Sequence, residues 1–405
     1  MLTKEENERL TSVGPGTPAG ELLRRYWQPI APASELREKP RKRVQLLGEN
    51  LILFSLPDGN YALMKEHCQH RGVSLYYGFL EEGGVRCAYH GWKYAPNGQC
   101  IEQPFEPKDS TFKDRVCQPA YPVQELGGLL FAYLGPQPAP LLPRWDVLVR
   151  EDGRRSIEIH PVLEANWLQP QENAVDTVHT YFLHGHMMKV KGINAGQYYL
   201  RPILNYEFER CEWGIIKRRT YGGENPEVEK GHPLLFPNAL RVPTGPFESI
   251  HWRVPVNDGQ TQIIVVDFKP TEDGSVADQQ EPAVVYLPTG VDENGEYDMM
   301  SFPSQDKMAY ETAGAVFDRS QEHLGASDRG IIMLRKMLRE EIEAVEQGRD
   351  PLGVIRDPEK NQCIKFEVSA GSADPRWNDA RWQAHDGSKE ILVPQDHIGA
   401  VPVQR

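Results

Sequence analysis

Two short mixed pairs of cysteine and histidine constrain this chain more than anything else in it. Cys68-Gln69-His70 and Cys87-Ala88-Tyr89-His90 each join one thiol to one imidazole, with sixteen residues between the pairs. Gly72, Gly83, Gly84, Gly91 and Gly98 crowd the same stretch. Glycine at that density predicts two loops between short strands rather than a helix. Four ligands of two chemical kinds are therefore offered from two loops.

The order C-x-H then C-x-x-H is the ligand set of a Rieske [2Fe–2S] centre. One iron takes Cys68 and Cys87, and the other takes His70 and His90 in place of thiolates. Exchanging two anionic thiolates for neutral imidazoles raises the reduction potential. The flanks His70-Arg71-Gly72 and His90-Gly91-Trp92 agree. A Cys₂His₂ zinc finger groups its cysteines together and places its histidines on a helix, which this stretch does not do. A Cys68–Cys87 disulfide would leave both histidines unexplained. His67 reads as an ordinary loop histidine.

The chain has 405 residues, enough for two domains. Its composition, 39% apolar and 25% charged, is that of a globular protein. No apolar run approaches the ~20 residues of a membrane span, and Met1-Leu2-Thr3-Lys4-Glu5-Glu6 has no apolar export core. A net charge of −13 without a basic run argues against nucleic acid or an anionic membrane as partner. A cytoplasmic location is expected, with Cys100, Cys117, Cys211 and Cys363 as buried thiols.

Thr3 and Glu6 predict a capping box on a first helix. Thr17-Pro18 starts a second helix through Leu22, Leu23 and Tyr26. From Arg43 to about Tyr133 short strands alternate with turns such as Asp58-Gly59 and Pro96-Asn97-Gly98. The proline-dense run 135–143 reads as a connector. It divides residues 1–145 from a second domain, 146–405, and the fold class is α+β. Strands are expected at 215–219, 249–254 and 262–268. A helix is expected over 328–347, with Ser327 as its cap. The last thirty residues look loop-rich and peripheral.

The second half has one dense polar cluster, Asn166 to His179, with His184 five residues on. If 171–179 is helical, Glu172, Asp176 and His179 share a face. A helix ending near Thr180 then lets His184 fold back beside His179. Two imidazoles with one carboxylate make the 2-His-1-carboxylate site of non-haem Fe(II) oxygenases. Hydrogen-bonded core histidines or a zinc site are the competing readings. His186 is a decoy two residues past His184.

Taken together, these motifs resemble the terminal oxygenase component of a Rieske non-haem iron aromatic oxygenase. The likeness is greatest to the phthalate-dioxygenase-like branch, which includes phenoxybenzoate and dehydrodivanillate oxygenases. It runs from Val13-Gly14-Pro15-Gly16-Thr17-Pro18 and Leu22 to Trp27 through both Cys/His pairs. It continues over Asn166-Trp167, Glu172-Asn173, Asp176, His179 and His184 to Gln305-Asp306 and the segments 318–320 and 327–328. The resemblance implies a small antiparallel-β cluster domain followed by a helix-grip antiparallel sheet. It implies that His179, His184 and Asp306 hold a mononuclear Fe(II), with Asp306 upstream of a helix. Asp298, Asp318 and Asp328 are alternative third ligands, the last two more simply surface or capping residues. It further implies Asn173 beside the iron, and Asp176 as a bridge to His90 of a neighbouring subunit in a homotrimer or stacked trimers.

The same resemblance implies an aromatic carboxylate and O₂ as substrates. An anion calls for a cation or donors in the pocket. His251, Arg253 and Arg201 are candidates, whereas Lys217-Arg218-Arg219 reads as a solvated strand edge. His251 points either into the pocket or into the core. Aryl-ether O-demethylation is the expected reaction: the methyl is hydroxylated and the hemiacetal collapses to a phenol and formaldehyde. Ring cis-dihydroxylation is the alternative. An electron-transfer protein without oxygenase activity is the reading from a different class. The sequence has no Gly-x-Gly-x-x-Gly after a strand and no C-x₄-C-x₂-C run, so a separate reductase or ferredoxin is expected to supply electrons.

Overall fold

The computed structural model describes residues 1–192, 199–223, 226–244, 247–279 and 281–366. The last thirty residues, expected to be loop-rich, lie outside them. Helix Lys4–Thr11 carries the capping box, with Glu6 N–H donating to Thr3 Oγ1 and Thr3 N–H to the Glu6 carboxylate. Helix Pro18–Leu23 starts at the Thr17 cap but stops before Tyr26. Asn7 donates to the Phe317 carbonyl and Arg9 pairs with Glu346, so the first helix is tied to the C-terminal part of the chain.

Two four-stranded antiparallel sheets follow. One contains Arg41–Leu46, Glu49–Ser55, Tyr61–Lys65 and Ala120–Tyr121; the other contains Phe79–Glu81, Gly84–Arg86, Lys93–Tyr94 and Cys100–Glu102. Leu46 pairs with Glu49 across Leu47-Gly48, both at positive φ. That mirror-image turn matches the twist of a tight hairpin. Ile52, Phe54, Met64, Leu75, Val85 and Tyr94 form a separate small core that also takes in Cys68 and Cys87. The proline run is pinned rather than loose. The Trp27 indole donates to Pro140, and Leu141 N–H to Ile355.

The second half is built on a nine-stranded sheet. Its path runs Ile203–Cys211, Gly214–Tyr221, His232–Leu235, Ala239–Thr244, Phe247–Asn257, Gln260–Pro270, Gly153–Ile159, Ala283–Tyr286, with Glu227–Val228 beside Gly214–Tyr221. All pairs are antiparallel except the last on the path, Gly153–Ile159 with Ala283–Tyr286, which is parallel. Helix Arg329–Glu346 buries Leu334, Leu338, Ile342 and Val345 at helical spacing. Its N-cap is Asp328, not Ser327, and no side chain bonds there.

No disulfide forms among the described residues. Cys100 is buried, but Cys117 and Cys363 are exposed, contrary to the expectation of buried thiols. No helix among the described residues is long and apolar enough to cross a membrane.

Candidate metal centres

The two Cys/His loops are near copies of each other. Gly72 N–H donates to the Cys68 carbonyl and Gly91 N–H to the Cys87 carbonyl, each closing a five-residue turn. Cys68 N–H donates to Val73 and Cys87 N–H to Trp92. Gly72 and Gly91 both have φ of 73°, a left-handed conformation that glycine adopts without a steric penalty. The loops bring the His70 and His90 rings to 4.4 Å, and His70 stacks on Trp92 at 4.2 Å. The thiols of Cys68 and Cys87 are buried and unpaired as a disulfide, whereas the histidines lie nearer the surface.

Burial and the neighbouring His70 and Arg71 lower the pKa of His90, favouring the neutral ring that binds metal. His70 Nδ1 is buried without a hydrogen-bond partner. A buried imidazole nitrogen without a partner, beside a second imidazole and in the same loops as two buried thiols, fits a cluster iron. Tyr94 Oη lies 3.1 Å from Cys68 Sγ. His67, as expected, is a loop histidine, its Nδ1 bonded to the Gly72 carbonyl.

At the second cluster the local structure differs from the single helix expected. Helix Leu168–Asn173 ends early, and the chain turns through 174–178. Thr180–His186 is then a π-helix. A wider turn places residues five apart nearly in line, so His179 and His184 face one another at 5.3 Å. Glu172 does not share their face. It is buried between Arg319 and Arg335 at 2.8 and 2.6 Å, with Glu322 completing the network. Burial opposes its charge, but the two guanidinium groups hold its pKa below the ordinary value.

Asp306 comes from helix Phe302–Thr312. It lies inside that helix rather than upstream of one. Single ligand atoms of His179, His184 and Asp306 all fall within 4.8 Å of one another. His184 Nε2 is 3.4 Å from Asp306 Oδ1, and Asp306 Oδ1 is buried without a hydrogen bond. A neutral nitrogen and an unpaired carboxylate oxygen facing a second imidazole fit a divalent iron.

His184 Nδ1 bonds Gln305 Oε1 at 2.8 Å. Gln305 Nε2 in turn donates to the Met299 carbonyl at 2.8 Å, fixing the amide orientation. His184 must then donate from Nδ1, which leaves the Nε2 lone pair free for a metal. Gln305 was visible in the sequence only as the neighbour of Asp306.

Asp176 Oδ1 accepts from the N–H groups of Val178 and His179, and Oδ2 lies 3.5 Å from His179 Nδ1. Burial works to raise its pKa, but His179 and these N–H groups outweigh it and draw the value to about 2. Asn173 is half-buried at the end of its helix, and its carbonyl accepts from Asp176 N–H. His186 is exposed on the outer side, beside Phe182. The alternative carboxylates stand apart from the triad. Asp298 caps Met300, Asp318 bonds Ser320, and Asp328 accepts from Gly325.

The basic candidates are distributed differently from the sequence reading. Lys217 and Arg219 are buried, 5% and 3% exposed, and are not a solvated edge. Alternation along Gly214–Tyr221 turns these two inward and sends Arg218 out to Glu209. Arg201 pairs at the surface with Glu227. Arg253 is buried, and His251 is half-buried on the same sheet face. Their cross-strand partners, Ile263 and Val265, pack with Tyr310, one turn beyond Asp306. Both therefore face the helix that carries the third ligand.

A cluster fold joined to a sheet with a 2-His-1-carboxylate group defines a Rieske oxygenase. Residues 26–122 match the Rieske [2Fe-2S] domain, and residues 289–394 match the LigXa C-terminal domain like family. The chain is 40% identical to the 5,5'-dehydrodivanillate O-demethylase oxygenase subunit of Sphingobium sp. (strain SYK-6), over 90% of this chain and 86% of that protein. It is 35% identical to the phenoxybenzoate dioxygenase subunit alpha of Ectopseudomonas oleovorans, over 85% and 87%. The solved structure of NdmA from Pseudomonas putida CBB5 shares the fold, with a TM-score of 0.61 at 21% identity over 87% of this chain and 99% of that one.

This chain belongs to the Rieske non-haem iron oxygenases and is a terminal oxygenase subunit. It carries a [2Fe–2S] cluster and a mononuclear iron. The reading as a pure electron carrier is thereby set aside.

Proposed function

We propose that this oxygenase demethylates a methoxylated aromatic carboxylate, with Cys68, Cys87, His70 and His90 holding the cluster and His179, His184 and Asp306 the Fe(II). The observation that carries the proposal is the convergence of those three ligand atoms within 4.8 Å in a chain whose N-terminal part is a Rieske domain. Bound iron supplies O₂ activation at positions that three facial ligands leave open. The protein's part is to orient the ligands through Gln305 and Asp176. Asp176 links His179 to His90 of an adjacent subunit in a trimer, and Asn173 stands beside the metal. Residues 1–145 and 146–405 divide the two tasks.

Demethylation is favoured by the similarity to an O-demethylase oxygenase subunit. Ring dihydroxylation is the second reading, favoured by similarity to the phenoxybenzoate and phthalate dioxygenase subunits. A separate reductase or ferredoxin feeds the cluster; carbazole 1,9a-dioxygenase, which shares the fold, has been solved as an oxygenase–ferredoxin complex. Incubation with a reductase system, ¹⁸O₂ and a panel of methoxylated, phenoxy and phthalic acids tests this. Formaldehyde and a phenol from a methoxylated acid support demethylation. A doubly labelled cis-diol as sole product would overturn it.

A further inference from the structure

We propose that Lys217 and Arg253 form an anion subsite that binds a carboxylate of the aromatic substrate. The proposal rests on the oxygenase reading and names residues of that same site.

Eight lysines and arginines are buried among the described residues: Arg24, Lys93, Lys217, Arg219, Arg241, Arg253, Arg319 and Arg335. Six of them have a carboxylate within ion-pair distance. Arg24 has Glu49, Lys93 has Glu81, Arg219 has Glu229, and Arg241 has Asp146. Arg319 and Arg335 share Glu172. Lys217 and Arg253 have none. Lys217 Nζ makes one hydrogen bond, to the Asp176 carbonyl at 3.2 Å, which leaves two N–H groups. Arg253 Nη1 donates to the His251 carbonyl, and its Nε is buried without a partner.

A buried cation without a directly paired carboxylate is costly, and Asp176 and Glu229 near Lys217 and Asp306 near Arg253 act only through space. Burial, reinforced by Arg219, outweighs the Asp176 and Glu229 carboxylates and draws the Lys217 pKa down to about 7. Two such groups in one domain call for an anion that arrives from outside. Both lie at the iron site. Lys217 touches the residue three positions before His179, and Arg253 neighbours the strand on which Tyr310 packs, one turn from Asp306. An ammonium and a guanidinium with free donors suit a carboxylate. A purely structural Lys217 would need only its N–H bond to the Asp176 carbonyl, which requires no charge.

The test is a binding titration of the iron-loaded protein with 5,5'-dehydrodivanillate, 3-phenoxybenzoate and phthalate, each against its methyl ester. Wild type is expected to favour at least one acid over its ester by about tenfold or more. Lys217→Gln, which removes the charge but retains an N–H donor, and Arg253→Met are each expected to lower that ratio about tenfold. Lys217→Arg is expected to retain most of it. Cluster absorbance and mononuclear iron content confirm that each variant is intact. If Lys217→Gln does not fold, the Arg253→Met and Lys217→Arg ratios decide the matter. A wild-type ratio in intact Lys217→Gln and Arg253→Met, or no acid preference in wild type, would overturn the subsite. Esters oxidised as readily as acids would also sink the subsite while leaving the oxygenase reading intact. Absence of any O₂-dependent product across the panel would instead count against that reading.

Discussion

The side-chain oxygen of Gln305 lies 2.8 Å from Nδ1 of His184, and that contact sets which nitrogen of the ring faces Asp306. Gln305 is wholly buried and anchored by the Met299 carbonyl, so the amide cannot turn over without losing a second bond. Gln305→Leu should therefore weaken mononuclear metal binding by about 10–100-fold, the usual effect of losing a partner that orients a ligand. Metal titration of the apo-site reads this directly. Unchanged affinity would show that packing alone positions His184.

Tyr94 offers a similar handle on the cluster. Burial, followed by the bond to Cys68, pushes its phenol pKa far above the ordinary value, so the hydroxyl stays protonated and can donate to the sulfur 3.1 Å away. Hydrogen bonds to cluster sulfurs favour the reduced, more negative state. Tyr94→Phe should lower the reduction potential by about 60 mV, a tenfold change for a one-electron couple. A redox titration followed by absorbance gives the answer, and an unmoved potential would contradict the donor role.

Lys217 should leave a mark on stability as a function of pH. Its folded pKa, drawn down to about 7 by burial first and Arg219 second, is below its unfolded value. Between those two values the unfolded chain binds more protons, so stability rises with pH across that window. Below about pH 7 both states are protonated and the full penalty applies. Lys217→Met should remove this contribution and stabilise the substrate-free protein most at low pH. Thermal melts of both proteins from pH 6 to 9 test it; parallel curves would count against a strained ammonium.

Asp176 does two things at once. Its Oδ1 caps the N–H groups of Val178 and His179, and its Oδ2 approaches the His179 ring. Asp176→Asn keeps an acceptor for the cap but loses the charge. The variant should retain both metals and its assembly. Its reduced cluster should re-oxidise far more slowly with substrate and O₂, because the proposed link to a neighbouring His90 is lost. A wild-type rate in stopped-flow absorbance would reduce Asp176 to a helix cap.

Much of this site was legible before the structure. The Cys/His pairs are local, and their loops are set by neighbouring glycines such as Gly72 and Gly91. The capping box at Thr3 and the strands at 249–254 and 262–268 likewise follow from short-range pattern. What failed depends on distant residues. Glu172 looked like a partner of His179 because nothing local reveals Arg319 and Arg335, which take it. The π-helix was hidden because helical spacing assumes 3.6 residues per turn, although the interval from His179 to His184 suits the wider turn. Lys217 read as solvated because a run of three cations masks the alternation that buries the first and third.

In the proposed reaction, electrons leave the Cys/His cluster for an iron held by His179, His184 and Asp306. Reduced wild type and His179→Ala, mixed with O₂ and a substrate acid in a stopped-flow instrument, test it most directly. Wild type should re-oxidise rapidly, whereas His179→Ala should keep a brown, reducible cluster, lack the mononuclear iron and re-oxidise only slowly. Equal re-oxidation rates, or loss of the cluster along with the mononuclear iron in a folded variant, would contradict it.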